Sequence, residues 1–345
     1  MKLSAGKMKG MQEVSNARGV IAAAAMDQRG ALRSPLAKAA GVPPDQITAR
    51  QMSEFKSAVS RVLTPHASAI LLDPEYGLEA AKLRSPNAGL LLAYEKSGYD
   101  NTQPGRKADL LPLVSVRRLQ EMGASAVKVL IYYTPEEDRT INDAKHAFIE
   151  RIGAECAAVD IPFFLEFVGY DPAGADEKGF EFAKRKPEIV ARSMEEFSKD
   201  RYGVDVLKVE VPVNLAFAEG ARCYTGPAAY SNKDALEQYR RAAAAARRPF
   251  IYLSAGVSNQ QFTESLEWAG EAGVSFSGVL CGRATWKDGV PVFAKQGAAA
   301  LEQWLQGEGV ANIQAVNQCL QAAKPWFGFY GAGSAAELQA TGAAS

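Results

Sequence analysis

The sequence predicts a single (β/α)8 barrel, an α/β fold of the TIM-barrel class, and three observations predict it. Eight short apolar runs recur along 345 residues, and nearly all are separated by stretches whose apolar residues follow helical spacing. The first run ends without the GxGxxG turn that usually opens a doubly wound nucleotide-binding sheet. No shift in composition marks a domain boundary, although the length alone would accommodate two domains. An N-terminal arm is read at 1–18, the barrel at 19–328, and a small, polar, flexible tail at 329–345.

Taken in order, VIAAAAMDQRG (20–30) is a buried-strand pattern ending in charge, and TARQMSEFKSAVSRVL (48–63) spaces its apolar residues as an amphipathic helix. SAILLDPEY (68–76) is the second strand, followed by a short helical piece at 78–83. GLLLAYEKSG (89–98) is the third, and a loop rich in Gly, Pro and Asn (99–107) leads to a helix at 115–123. AVKVLIYY (126–133) is the fourth strand, with Lys128 inside it. A long amphipathic stretch (142–159) then leads to PFFLEFVGY (162–170), the fifth, with Glu166 inside it. Helix is expected at 186–202, before the sixth strand VDVLKVEVPV (204–213). The Ala-rich 233–248 is a strong helix former ahead of PFIYLSAG (249–256). Helix at 260–272, the eighth strand FSGVLCGRATW (276–286) and helix at 294–323 complete the pattern.

Composition excludes several classes of function. Apolar residues make up 47% and charged residues 23%, and acidic and basic residues balance at 39 each. That balance offers no electrostatic case for nucleic acid or an anionic membrane. No apolar run is long enough to cross a bilayer, and the first residues lack the apolar core of a secretory signal. Cys156, Cys223, Cys281 and Cys319 are scattered without CxxC spacing, so reduced thiols in a cytoplasmic protein are expected. His66 and His146 are the only histidines. Three-histidine metal sites are excluded, and structural or surface roles are expected for both. No metal and no cofactor is predicted.

In this fold, chemistry sits at the C-terminal ends of the strands. Polar groups within or ending the apolar runs are Asp27, Gln28, Glu95, Lys128, Glu166, Lys208, Glu210, Ser254 and Arg283. By the two-residue period, Lys128 shares a face with Ala126 and Leu130, and Lys208 shares one with Val206, Glu210 and Pro212. Both lysines can point inward, with Glu166 on the strand between them. An amine confined near another cation has its pKa pulled down and can attack a ketone, while a carboxylate shuttles protons. The same residues could instead form a buried salt-bridge network, or Lys208 and Glu210 a pair on a wet strand face. The seventh and eighth strands end in small residues, and loops there form the recurrent phosphate site of this fold. Ser254, Ala255, Gly256, Gly282 and Arg283 fit it; the alternative is tight-turn glycines and a surface arginine.

LKVEVPV, YLSAGVS, GVLCGRATW, MDQRGAL and FLEFVGY together resemble the class I tagatose-1,6-bisphosphate aldolase family, over about residues 19–328. The resemblance implies cleavage of D-tagatose 1,6-bisphosphate to dihydroxyacetone phosphate and glyceraldehyde 3-phosphate, with other ketohexose bisphosphates also accepted. It implies Lys208 as the Schiff-base lysine, Glu166 as acid/base and Lys128 beside them in contact with substrate. Asp27 and Gln28 would line the pocket, and Ser254 and Arg283 would contact phosphate. Arg29, Lys145 and Arg139 are the candidates for a distal anion. A 6-deoxy-6-sulfofructose 1-phosphate aldolase and a sugar-phosphate-sensing regulator with an aldolase pocket are the alternative functions. Another Schiff-base barrel, such as a transaldolase or deoxyribose-phosphate aldolase, is set aside by the length of the motif match. The aromatics Trp326, Phe327, Phe329 and Tyr330 would form either a homo-oligomer interface or a cover for the barrel.

Overall fold

The computed structural model describes residues 3–100 and 102–342, the last four by backbone only. The first two residues of the arm read at 1–18, residue 101 of the loop at 99–107 and residues 343–345 of the tail lie outside the described residues. Eight parallel strands close into a barrel in chain order: β1 Ile21–Ala25, β2 Ala69–Leu72, β3 Gly89–Ala93, β4 Ala126–Tyr132, β5 Phe163–Val168, β6 Val206–Glu210, β7 Phe250–Leu253 and β8 Gly278–Cys281. The helices are α1 Ala5–Glu13, α2 Gly30–Ala40, α3 Ala49–Leu63, α4 Leu78–Lys82, α5 Val116–Glu121, α6 Arg139–Val159 and α7 Phe180–Phe197. They continue as α8 Asn232–Ala245, α9 Asn259–Glu271, α10 Arg283–Trp286, α11 Val290–Trp304, α12 Val310–Cys319 and α13 Ala335–Gly342. Among the described residues no helix is long and apolar enough to cross a membrane.

The two-residue period of the strands divides the core in two. Ile21, Ala23, Ala25, Ala69, Leu71, Leu91, Ala93, Ala126, Phe164, Val206, Ile251 and Leu280 fill the barrel interior as one cluster. Their neighbours of opposite parity, such as Ala24, Ile70, Leu92, Val129, Leu165, Val209 and Val279, pack outward against the helices. The interior cluster continues downward into Met8, Met11, Val14, Trp326 and Leu338, so the lower mouth is sealed by both chain ends. Lys7 on α1 ties this plug to the wall through Asp205, at 2.7 Å.

The sequence reading assigned no element at α1, α2 or α13. The apolar content of α1 is sparse, because only Met8, Gly10 and Met11 are buried. Pro35 interrupts the pattern of α2. Helix α7 begins at Phe180, ahead of the expected 186, and carries Pro187 inside it. The single helix expected at 294–323 is two, α11 and α12, joined by a π-turn at Leu305–Gly309. Helix α3 starts where the spacing placed it, closed by a capping box between Thr48 and Gln51. Of the four C-terminal aromatics, Trp326 is fully buried in the lower plug and Phe327 and Tyr330 pack against it.

Closure of the barrel between β1 and β8 depends on a bare backbone. Gly278 has φ +136° and pairs with Ile21, and a Cβ there would stand 1.9 Å from the Ile21 carbonyl oxygen. Gly278→Ala is expected to cost roughly 3 kcal/mol or more, combining strain with a broken ladder. Urea denaturation checks it, and a loss below about 1 kcal/mol would refute the steric account.

Candidate active site

Where the apolar interior ends, charge begins. Continuing the inward parity of each strand by one or two positions gives Asp27 after β1, Glu95 after β3, and Lys128, Glu166 and Lys208 within β4, β5 and β6. Glu166 pairs directly with Lys208 in the β5–β6 register. These groups line a cleft of about 560 Å³ at the C-terminal mouth, together with Gln28, Ser254, Ala255, Gly256, Gly282 and Arg283. The structure thus brings all ten sequence-predicted site residues into one cavity.

The centre of the cleft is a web of ion pairs. Lys128 Nζ lies 2.8 Å from Asp27 Oδ2, 2.7 Å from Glu95 Oε1 and 2.8 Å from Glu166 Oε2. The same Glu166 oxygen is 2.8 Å from Lys208 Nζ. One carboxylate oxygen therefore bridges the two ammonium groups. Burial pushes the Glu166 carboxyl up, but Lys128 and Lys208 outweigh it and hold the group below its ordinary range. The same balance holds Asp27 well below its ordinary value. Burial dominates at Glu95, whose carboxyl is held above its ordinary value despite Lys128.

For Lys128, the cation–cation argument from sequence runs the wrong way. Burial alone would lower its pKa, but Asp27, Glu166 and Glu95 raise it well above the ordinary value, so it is a fixed positive charge. The pairing of Lys208 with Glu210 is also absent. Glu210 instead accepts from the Gly169 amide at 2.8 Å and pairs with Lys186 at 3.1 Å.

The opposite rim is built from β7 and β8. Ala255 and Gly256 both adopt positive φ, 47° and 79°. A Cβ on Gly256 would fall 2.8 Å from Arg283 Cζ, so only glycine lets the guanidinium lie against this turn. Ser254 is buried beneath the turn. This compact group of a hydroxyl, small-residue backbone and a guanidinium suits an anionic oxygen cluster.

Two supports were missed from the sequence. Lys56, wholly buried on α3, pairs with Asp73 at 2.6 Å and donates to the carbonyls of Met26 at 2.6 Å and Gln28 at 2.8 Å. It thereby holds the backbone on both sides of Asp27, while burial lowers its own pKa. The signal was present, since Lys56 falls on the same helical stripe as Met52, Phe55, Val59 and Leu63. Glu95 was visible as a strand-ending carboxylate but was not placed among the site residues. Of the three distal-anion candidates, only Arg29 lines the cleft, bonded to Glu75 at 2.7 Å and to the Glu95 carbonyl at 2.7 Å. Lys145 bonds Tyr170 in a separate pocket, where burial draws its pKa to about 8. Arg139 is exposed on an outer groove beside His146. Both sit on α6, outside the barrel mouth, which excludes them from the cleft. His146 itself bonds the Tyr133 hydroxyl at 3.1 Å within an aromatic cluster.

Comparisons with known proteins place the whole chain in one family. A profile described as DeoC/LacD family aldolase matches residues 21–288. The chain is 48% identical over 332 residues to the tagatose 1,6-diphosphate aldolase of Listeria monocytogenes, covering 96% of both chains. It is 53% identical over 327 residues to tagatose 1,6-diphosphate aldolase 2 of Enterococcus faecalis, covering 94% of this chain and 97% of the relative. Among solved structures, the fructose-bisphosphate aldolase of Plasmodium falciparum, in complex with TRAP and a small-molecule inhibitor, superposes with a TM-score of 0.63 at 14% identity. That match covers 92% of this chain and 96% of the other. A Schiff-base-forming fructose-1,6-bisphosphate aldolase gives 0.54 at 15% identity, over 90% and 98% of the two chains. At these identities both structures speak to the fold.

Lys128→Met leaves three buried carboxylates short of their shared cation and is expected to cost about 3–5 kcal/mol at pH 7. Asp27 and Glu166, held low, lend stability that is full above the ordinary carboxylate range and lost as pH falls through their folded values. Glu95, held high, runs in the opposite sense: its contribution is full below its unfolded value and lost as pH rises through its folded one. In the variant the uncompensated buried carboxyls protonate readily, so the deficit should shrink as pH falls from 7 to about 4. Paired denaturation curves at pH 7 and pH 4 measure this, and a deficit equal at both would count against the charge web as its cause.

Proposed function

Because the chain belongs to the DeoC/LacD aldolase family, and so is a carbon–carbon lyase, we propose that its cleft cleaves D-tagatose 1,6-bisphosphate through an iminium on Lys208. The observation that carries the mechanism is the Glu166 oxygen held 2.8 Å from both lysines. Glu166 can take the Lys208 proton, freeing the amine to attack the C2 ketone. The carbinolamine hydroxyl takes that proton back from Glu166 and leaves as water, giving the iminium and restoring the carboxylate. Glu166 then accepts the C4-hydroxyl proton as C3–C4 breaks, the bonding electrons pass to the iminium nitrogen, and glyceraldehyde 3-phosphate leaves. The proton held by Glu166 passes to C3 of the enamine, and hydrolysis of the resulting iminium releases dihydroxyacetone phosphate and regenerates Lys208. Lys128 keeps its charge throughout and favours the return of Glu166 to its ionised form after each proton transfer.

The 1-phosphate belongs to Ser254, Ala255, Gly256, Gly282 and Arg283, next to the strand that carries Lys208. The 6-phosphate then falls on the far rim, where Arg29, Gly30, Lys96 and Ser97 line the cleft. Asp27 and Gln28 line the cavity between these ends. Other ketohexose bisphosphates are secondary substrates of the same site. The curated relatives named above do not favour the sulfosugar or regulator readings.

Borohydride trapping with dihydroxyacetone phosphate and peptide mass mapping should place a stable adduct on Lys208. Lys208→Ala should abolish both adduct and turnover, and an active K208A enzyme would overturn the mechanism. Glu166→Gln should lower kcat by about 10²–10⁴-fold, the range of a lost general acid–base. Arg283→Ala should raise KM for the bisphosphate at least about tenfold, as loss of a charge-assisted contact implies, while trapped protein still carries its adduct on Lys208.

A further inference from the structure

The floor of the cleft contains more acceptors than its own donors satisfy. Asp27 Oδ1, Gln28 Oε1 and Glu95 Oε2 are all buried and have no hydrogen-bond partner among the described residues. Each is an oxygen on the β1–β3 side of the cavity, and carboxylate oxygens accept only, so these positions call for hydroxyl donors from a ligand. Glu95 differs from the other two in its place. In the closed strand order β3 lies diametrically opposite β7, whose loop carries the Ser254–Gly256 anion group. Gln28, by contrast, reaches toward β8: a Cβ on Gly282 would lie 3.1 Å from its Nε2. Glu95 adjoins Lys96 and Ser97 on the far rim, and its own carbonyl holds Arg29 Nη2 at 2.7 Å.

A six-carbon chain anchored by one phosphate at β7–β8 and joined to Lys208 through C2 therefore presents its far half to Glu95. The geometry points to Glu95 as the group that recognises the C5 hydroxyl of the substrate, through the carboxylate oxygen not engaged by Lys128. This assignment rests on the aldolase reading above. One oxygen, Oε1, is fixed by Lys128 at 2.7 Å, which orients the other without help from the ligand. The side chain is 6% exposed, so the lost donor of a deoxy substrate cannot be replaced at no cost.

The test runs the reaction in the synthetic direction. Dihydroxyacetone phosphate is condensed either with D-glyceraldehyde 3-phosphate or with 3-oxopropyl phosphate, which lacks only the hydroxyl that becomes C5–OH. The wild-type enzyme should prefer the hydroxylated aldehyde in kcat/KM by roughly 10- to 150-fold, the span of a hydrogen bond to a charged group. Glu95→Ala should bring this ratio near one, and Glu95→Gln should lower it in part. General damage to the fold or to Lys128 slows both aldehydes together and leaves the ratio unchanged. A wild-type ratio retained in Glu95→Ala overturns the assignment.

Should the variants prove insoluble, the wild type can be tested with 2-deoxy-2-fluoro-D-glyceraldehyde 3-phosphate, whose fluorine cannot donate. Rejection equal to that of the deoxy aldehyde supports the assignment, and acceptance equal to that of the natural aldehyde overturns it. A wild-type enzyme that condenses none of these aldehydes would instead overturn the aldolase reading.

Discussion

The Glu166 carboxylate shared between Lys128 and Lys208 is the constraint on which the upper half of the molecule depends. Two ammonium groups in a barrel interior repel strongly at low dielectric. A carboxylate oxygen 2.8 Å from each offsets that repulsion, and Asp27 and Glu95 complete the neutralisation around Lys128. The consequence is a division of labour. Lys128 is saturated with carboxylates and remains a fixed charge, whereas Lys208 has a single carboxylate partner among the described residues, Glu166. In the proposed mechanism, chemistry falls to Lys208 on β6 because the counter-charges converge on Lys128 of β4.

Such a web requires that each side chain arrive from a different strand at nearly one level. The barrel supplies this through the continuation of its inward-facing residues, alanines mixed with Ile21, Leu71 and Leu91 on β1 to β4 and Phe164, Val206, Ile251 and Leu280 on β5 to β8. The strand ends are then braced from outside. Lys56 holds the chain at Met26 and Gln28, and Arg29 joins Glu75 to the Glu95 carbonyl. The walls of the cleft differ accordingly. The β7–β8 side offers small-residue backbone and a guanidinium, the β1–β3 side offers oxygen acceptors, and Leu130, Tyr132 and Val168 form an apolar face between.

The lower mouth is closed by α1, Trp326 and Leu338, segments far apart in the chain. Their packing explains why the ends were hard to read. An apolar stripe of two methionines does not announce a helix until the barrel floor is present to receive it. A proline inside α2 or α7 likewise argues against helix locally, and tertiary packing overrides it in both.

The sequence by itself determined the barrel, its eight strands and the inward parity of Lys128, Glu166 and Lys208. Those features depend on local periodicity, which burial on both faces of a parallel strand makes strict. It also showed the two small-residue turns after β7 and β8 and, through its motifs, the family. Only the tertiary structure decided which charges meet. Lys208 faces Glu166 and not Glu210, Lys128 collects three carboxylates, and Lys56 reaches from α3 to the chain around Asp27. The same closure left Arg139 and Lys145 on α6, outside the mouth, and brought Arg29 and Glu95 to its edge. Electrostatic pairing depends on distances between residues remote in sequence, and barrel closure alone sets those distances.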